Sequence, residues 1–265
     1  MFKRIKNENR NISIKASVII VFIGLVIIIV GSISYIIFSN WMSAEKDNMD
    51  RTILSINDEI VNKIETVIDL PLNINKTNYK LIEKNVIDIE DGSSRDRFFV
   101  SVLDGYKDEA IYSFSFGTRD GEYYGARLNE NNEIEIMLNN EVTGGHSWYY
   151  SVTKEMLRGL LAVKAGEFDP RTRDWYKIAE ESGGPSFSSI YKHFIMNDLT
   201  ISASYPIYDG MGELRGVLGS HIILSKLNDY LKEIAEIRKA TALIVDKQSR
   251  ELIANSLGKD NFISL

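Results

Sequence analysis

The apolar and polar positions divide the chain into one long apolar run, an amphipathic helix and a series of short alternating segments. No residue from Ala16 to Phe38 is charged, and most are Ile, Val, Leu or Phe. About 23 such residues span a hydrocarbon core of roughly 30 Å. Residues 16–38 are therefore predicted to form a transmembrane helix, with Trp41 at the membrane interface.

The charges before this run predict its orientation. Residues 1–15 carry five basic side chains against one Glu8, which predicts a cytoplasmic N-terminus and an extracytoplasmic remainder. A cleaved signal peptide is the alternative, but its apolar region is shorter and a small-x-small site follows it. Residues 39–44 make a poor cleavage site, so an uncleaved anchor is favoured.

Residues 45–70 are predicted to form a long stalk helix, which Pro71 is expected to end. Its apolar residues recur at spacings of three and four, as Met49, Ile53, Ile56, Ile60, Ile64 and Val67. Such a stripe has to be buried. Its partner is either the stalk's own domain or a second copy of the chain in a parallel homodimer.

The remainder alternates between strand and helix patterns, which predicts an α+β fold with a PAS-like antiparallel sheet. The predicted strands are residues 111–116, 122–128, 134–136, 188–194, 199–208, 214–224, 242–245 and 252–254. Helical patterns cover residues 73–106 with a loop at 90–94, a patch at 154–163, and a helix that Ser225 is expected to cap.

One further helix carries the candidate chemistry. Asp169 is a suitable N-cap, Pro170 suits the first helical position, and Gly183-Gly184 is expected to stop the helix. Guanidinium groups at a helix N-terminus, here Arg171 and Arg173, suit a small anion and above all a carboxylate. Trp175 and Tyr176 follow directly, and such aromatic side chains can wall a pocket.

Composition excludes several other kinds of function. The 265 residues have a net charge of -6, and the basic N-terminus leaves the rest more acidic still, which argues against nucleic-acid binding. There is no cysteine, so disulfides and thiolate metal sites are excluded. The three histidines lack metal-ligand spacing, and no nucleophile motif is present. No metal, cofactor or catalytic residue is predicted, and the protein is not expected to be an enzyme.

The motif Asp169-Pro170-Arg171-x-Arg173-x-Trp175-Tyr176, followed by Gly216-Val217-Leu218-Gly219, resembles the double Cache (dCache) family. These are extracytoplasmic sensor modules of bacterial chemoreceptors, histidine kinases and cyclic-di-nucleotide enzymes. The resemblance covers roughly residues 45–265. It implies a membrane-distal PAS-like ligand-binding subdomain at 71–224. Residues 225–265 would be a connecting helix and a membrane-proximal subdomain that is incomplete, as in a truncated receptor without its output domain.

The resemblance also implies site residues. Arg173 and Trp175 would hold the ligand carboxylate, Tyr176 would add a phenol hydrogen bond, and Tyr191 would close the pocket wall. Arg171 is a further candidate, although a surface salt bridge is the alternative for it. The family usually has a tyrosine where this chain has Phe168.

His221 occupies the position of the aspartate that receives a ligand amine in this family. An imidazole cannot replace a carboxylate as the partner of an ammonium group. The site is therefore expected to prefer an anionic ligand, such as a carboxylic acid, to an α-amino acid.

The predicted function is that of a single-pass membrane sensor that binds a small solute outside the cytoplasm. The alternative is a membrane-anchored interaction or assembly protein, or a remnant that no longer signals and binds no ligand.

Overall fold

The computed structural model describes residues 13–194, 198–245, 247, 250 and 252–259. The chain divides into two units, Met1–Glu59 and Ile60–Leu265. The helices of the described part are α1 (Ile14–Glu83), α2 (Gly92–Asp104), α3 (Asp174–Ser182) and α4 (Ser225–Arg238). Together with the sheet below they confirm the predicted α+β class.

Helix α1 begins in the first unit and ends in the second. Its most apolar stretch has a mean hydropathy of 3.0, and none of that stretch is buried. By length and composition, this helix is able to cross a membrane.

The prediction that Pro71 ends this helix is wrong, because α1 continues to Glu83. Proline removes one backbone donor from a helix, but packing on both sides of it can hold the helix together. Here Val67, Pro71, Ile74 and Ile82 are all buried.

The central element is a nine-stranded antiparallel sheet in the order β5-β4-β3-β2-β1-β9-β8-β6, with β7 also paired to β8. Its strands are β1 (Ile111–Thr118), β2 (Tyr123–Leu128), β3 (Ile134–Asn139), β4 (His146–Val152), β5 (Arg158–Glu167), β6 (Ser186–Phe187), β7 (Tyr191–Lys192), β8 (Leu199–Tyr208) and β9 (Leu214–Ile223). The predicted meander is confirmed as β1 to β3, and the last predicted pair of this sheet as β8 and β9.

Two secondary-structure predictions are wrong. The patch at 154–163 is not helical, because β4 and β5 form a hairpin there and Met156 takes a positive φ of 59° at its turn. A single strand at 188–194 is also absent, and two strands of two residues each, β6 and β7, pair with β8 instead.

The sheet has a helix face and a cavity face. The helix face packs Phe114, Ala126 and Leu218 against apolar residues of α1 and α2, such as Ile82 and Phe99. On the cavity face, Tyr123, Met137 and Val217 pack against the aromatic residues of α3. Because side chains alternate along each strand, one sheet supports both layers.

After the sheet, α4 and a separate two-stranded sheet follow, formed by β10 (Leu243–Val245) and β11 (Leu252–Asn255). Ser225 does not cap α4; the N-cap is Leu224, and it makes no side-chain cap bond. The backbone N–H of Asn255 donates to Asn228 of α4 over 2.8 Å. The sequence predicts a turn at residues 246–249, between β10 and β11, and these residues lie largely outside the described part of the chain.

Candidate functional site

A cavity of about 60 Å³ opens on the cavity face of the sheet. Its wall is mainly aromatic and contains no carboxylate among the described residues. Its polar and aromatic side chains are those of Tyr112, Ser113, Tyr123, Arg127, Tyr149, Phe168, Arg173, Trp175, Tyr191, Lys192, His193, Phe194 and His221.

The motif at Asp169 forms two helical segments rather than one. Asp169 caps a short 3₁₀ helix at Pro170–Thr172, where its Oδ1 accepts from the backbone N–H of Arg171 over 2.9 Å. Arg173 is extended, with φ −89° and ψ 143°, and α3 begins only after it. The predicted end is confirmed, since Gly183 caps α3 in the left-handed conformation at φ 65°. The break places Arg173 at the N-terminus of α3.

The motif packs directly on β1 because of Gly117. A Cβ at this position would lie 2.7 Å from Cβ of Pro170 and 3.1 Å from the indole of Trp175. No side chain other than hydrogen fits there. Glycine in this strand therefore allows the motif to approach the sheet closely enough for Trp175 and Arg173 to line the cavity.

The guanidinium of Arg173 lies among aromatic rings. Its Cζ is 4.5 Å from the centroid of Phe168 and 5.2 Å from that of Phe194. Its Nε is buried and has no hydrogen-bond partner. No carboxylate among the described residues forms a salt bridge with it. A buried donor without an acceptor is costly, so this group is suited to an incoming anion.

Two predicted site residues do not reach the cavity. Arg171 is half exposed and forms a bidentate ion pair with Asp169, with Nη2 2.8 Å from Oδ2. Its Nη1 also donates to the carbonyl of Arg119 over 3.3 Å. Tyr176 is buried in the core, where its hydroxyl donates to the carbonyl of Thr118 over 3.3 Å. Both residues hold the motif on the β1–β2 hairpin.

Trp175 does line the cavity. The side chain is 2% exposed, and its ring meets that of His221 edge-on at a centroid distance of 5.3 Å. Tyr123 lies on its other side at 6.2 Å. The indole therefore forms a rigid aromatic wall of the site.

His221 takes part in a buried hydrogen-bond chain. Its Nε2 lies 2.7 Å from Ser115 Oγ and its Nδ1 2.7 Å from Ser202 Oγ. Ser202 Oγ in turn lies 2.7 Å from the hydroxyl of Tyr191. Burial, with a smaller effect of the nearby His193, lowers the pKa of His221 to about 3. The imidazole is therefore neutral at pH 7, and both of its nitrogens already have partners.

The cavity tyrosines are neutral donors rather than anions. Burial raises the pKa of Tyr191 to about 12, and it raises the pKa of Tyr112 and Tyr123 as well. The pKa of His193 is lowered to about 4 by burial and by the charge of Arg127. The cavity therefore offers neutral hydrogen-bonding groups beside the cationic side chains of Arg127, Arg173 and Lys192.

Arg127 is the buried charged residue of the cavity that the sequence did not indicate, and Tyr112, Tyr123, Tyr149 and His193 were not predicted either. It is 5% exposed, its Nε and Nη2 donate to Glu135 Oε2 over 3.0 and 2.8 Å, and its Cζ lies 3.6 Å from the ring centroid of Tyr149. Arg127 and Glu135 are direct partners across the β2–β3 hairpin. The sequence Asn131-Asn132 predicts a turn that sets this register, so opposite charges paired across that turn were the signal available in the sequence.

Comparison with known proteins decides what kind of domain holds this cavity. Residues 124–229 match the family model of the methyl-accepting chemotaxis protein-like first PDC sensor domain. The matched part runs from β2 into α4 and includes both Arg127 and His221. The matched part is therefore similar to sensor domains of the double Cache type.

Solved structures of chemoreceptor domains are similar to this chain. The structure of methyl-accepting chemotaxis protein X is 16% identical in sequence and has a TM-score of 0.50. The match covers 76% of this chain and 71% of that chain. The sensory domain of the Campylobacter jejuni chemoreceptor Tlp3, solved with isoleucine, is 16% identical and has a TM-score of 0.49 over 77% and 69% of the two chains.

The ligand-binding domain of the Pseudomonas aeruginosa chemoreceptor PctC, solved with GABA, is 14% identical and has a TM-score of 0.49 over 78% and 76%. No curated protein matches the sequence. The comparisons confirm the predicted dCache resemblance, and they leave the roles of individual cavity residues as predictions.

Proposed function

We propose that the chain is a membrane-anchored sensor whose dCache cavity binds a small solute that bears a carboxylate and lacks an α-amino group. The observation that carries this proposal is Arg173, a guanidinium in an aromatic cavity with a buried Nε that has no partner. A ligand carboxylate would accept from it in a charge-assisted hydrogen bond.

The cavity gives an ammonium group no anionic partner. No described residue of its wall is acidic, and the carboxylate of Glu135 is already paired with Arg127. His221 is neutral, and its two ring nitrogens already form hydrogen bonds with Ser115 and Ser202. An amino acid would have to leave its ammonium group without a counter-charge, which is unfavourable in a buried site.

The topology of the anchor is part of the same proposal. Residues 16–38 of α1 would cross the membrane, the basic N-terminus would be cytoplasmic, and the sensor region would be extracytoplasmic. The apolar residues of the stalk, such as Met49 and Ile53, are exposed in the single chain. They would pack against those of a second copy in a parallel homodimer.

Propionate and alanine form a matched ligand pair, because they differ only by the α-amino group. The full chain in lipid nanodiscs is melted with each of them. At a hundred times its dissociation constant, a ligand adds about 2.7 kcal/mol of stability, which for a domain of this size raises Tm by roughly 5–10 °C. We expect this shift with propionate or a larger monocarboxylate, and a much smaller one with the corresponding amino acid.

Two arginines provide the matched variants. Arg173→Ala should abolish the shift, whereas Arg171→Ala should retain it, because Arg171 faces Asp169 rather than the cavity. His221→Asp should gain binding of alanine. Tight binding of alanine by the unaltered chain would disprove the preference for ligands without an amine. A cooperative melt that no carboxylate or amino acid moves would favour the alternative, an interaction or assembly protein.

A further inference from the structure

Asn75 connects helix α1 to two central strands of the sheet. Its side chain is fully buried, at 0% exposure. Its Nδ2 donates to the carbonyl of Ala203 in β8 over 2.7 Å. Its Oδ1 accepts from the hydroxyl of Ser220 in β9, also over 2.7 Å. One amide therefore bridges α1, β8 and β9 at a single level of the sheet.

The same level of the sheet adjoins the cavity. Ala203 and Ser220 are direct partners in the β8–β9 ladder, and the neighbouring partners are Ser202 and His221. Successive residues of a strand point to opposite faces. Ser202 and His221 therefore carry the hydrogen-bond chain to Tyr191 on the cavity face, while Ser220 reaches Asn75 on the helix face.

We propose that Asn75 is a positioning residue that transmits changes in the cavity to helix α1. The proposal rests on the sensor function proposed above and adds the route by which the cavity acts on the helix. A shift of Tyr191 or His221 displaces the β8–β9 pair, and Asn75 carries that displacement into α1.

The directionality of hydrogen bonds is the physical reason. The apolar core contacts of α1, such as those of Ile74 and Ile82, are not directional and hold the helix less firmly in register with the sheet. The Asn75 bonds weaken steeply as distance and angle change. Breaking them would leave buried polar groups without partners, which is strongly unfavourable. The helix and the two strands are therefore expected to move together.

Asn78 provides a matched control on the same helix. It is also buried, at 7% exposure, and its Nδ2 donates to the carbonyl of Ile74 within α1 over 2.9 Å. Asn75→Leu and Asn78→Leu thus replace the same residue type in similar surroundings. Only the first removes a bond from the helix to the sheet.

The decisive test needs no ligand. Tyr191→Phe removes the hydroxyl that meets Ser202 and keeps the ring. Amide hydrogen exchange of residues 71–82 is then measured by mass spectrometry on the full chain in nanodiscs. Tyr191→Phe should speed this exchange at least about twofold in the unaltered chain and in Asn78→Leu, as expected for directly coupled groups. In Asn75→Leu the same change should have no effect.

Equal acceleration in Asn75→Leu would overturn the proposal, and so would an absence of acceleration in the unaltered chain. If Asn75→Leu does not fold, Ser220→Ala replaces it, since that variant removes only one of the two bonds. In Ser220→Ala, Tyr191→Phe should speed the exchange of residues 71–82 less than it does in the unaltered chain. An equal acceleration would overturn the proposal as well.

A propionate titration separates this proposal from the sensor proposal. Asn75→Leu should bind propionate with nearly the affinity of the unaltered chain, while propionate should no longer change the exchange of residues 71–82. Arg173→Ala should lose binding itself. A failure of propionate to bind the unaltered chain would count against the proposed ligand, and the Tyr191→Phe comparison would still decide the role of Asn75.

Discussion

The buried ion pair between Arg127 and Glu135 makes a sharp prediction about stability. The two side chains are 6% and 8% exposed, and Nη2 lies 2.8 Å from Oε2. Glu135→Ala would leave the guanidinium of Arg127 buried on the wall of the cavity. Asn129, the other polar neighbour of Glu135, offers only an amide 3.4 Å from Oε1 and no compensating charge for Arg127.

Removing one partner of a buried ion pair costs about 3–5 kcal/mol, because the other charge stays desolvated without a counter-charge. At roughly 2–4 °C per kcal/mol for a domain of this size, Tm should fall by about 6–20 °C. The surface pair of Arg119 and Glu213 is the control. Its side chains are 62% and 64% exposed, and Glu213→Ala should cost less than about 1 kcal/mol.

The measurement is urea denaturation of the full chain in nanodiscs, followed by circular dichroism, with Glu135→Ala compared with Glu213→Ala. A double variant, Arg127→Met with Glu135→Leu, should recover most of the lost stability, because it removes both charges and keeps the volume. A loss below about 1 kcal/mol for Glu135→Ala would refute the reasoning. So would a double variant as unstable as the single one.

Two further predictions concern Gly117 and His221. Gly117→Ala should lower the free energy of unfolding by about 1–3 kcal/mol, because the added methyl group overpacks against Pro170 and Trp175. Gly184 has open space around it, so Gly184→Ala should change that free energy by no more than about 0.5 kcal/mol. Equal losses for the two variants in urea denaturation would contradict this. The pKa of His221 is about 3 in the folded chain and about 6.5 when unfolded. As pH falls below 6.5 the unfolded chain therefore binds the proton first, so the free energy of unfolding should decrease by up to about 1.4 kcal/mol per pH unit until pH approaches 3. His221→Gln should make this decrease shallower, and parallel pH curves for the two proteins would show that His221 does not cause it.

The sequence was sufficient to predict the strands that alternate cleanly. β1, β2, β8 and β9 have regular patterns and end at turn residues such as Asp209, whose Oδ1 accepts from the N–H groups of Met211 and Glu213 over 2.8 and 2.9 Å. Local chemistry determines such hairpins, so they can be predicted without tertiary contacts.

Elements that depend on tertiary contacts were predicted less well. Pro71 was expected to end α1, because a local rule cannot include the burial of Val67 and Ile74 on either side of it. Residues 154–163 carry a helix-like spacing, but they form the β4–β5 turn and the start of the largely exposed edge strand β5, which is held by pairing to β4. Pairing along the sheet outweighed local propensity in that segment.

The sequence could not show which of the predicted site residues would face the cavity, either within the continuous motif or outside it. Arg173, Trp175, Tyr191 and His221 lie at the cavity, whereas Arg171 turns back to Asp169. The orientation of Arg171 depends on the 3₁₀ helix before α3, which the prediction of one continuous helix did not include.

The order of the strands has a consequence for the synthesis of the protein. β1 lies beside β9 in the middle of the sheet, where Ser115 is the partner of Gly219, so the two paired residues are 104 positions apart in the sequence. At a translation rate of about 5–20 residues per second, roughly 5–20 s pass between the synthesis of β1 and that of β9. During that time the β1–β5 meander exposes an unpaired strand edge and the apolar residues that will later contact β9. We therefore expect the nascent chain to be most prone to aggregation just before residues 214–223 are made.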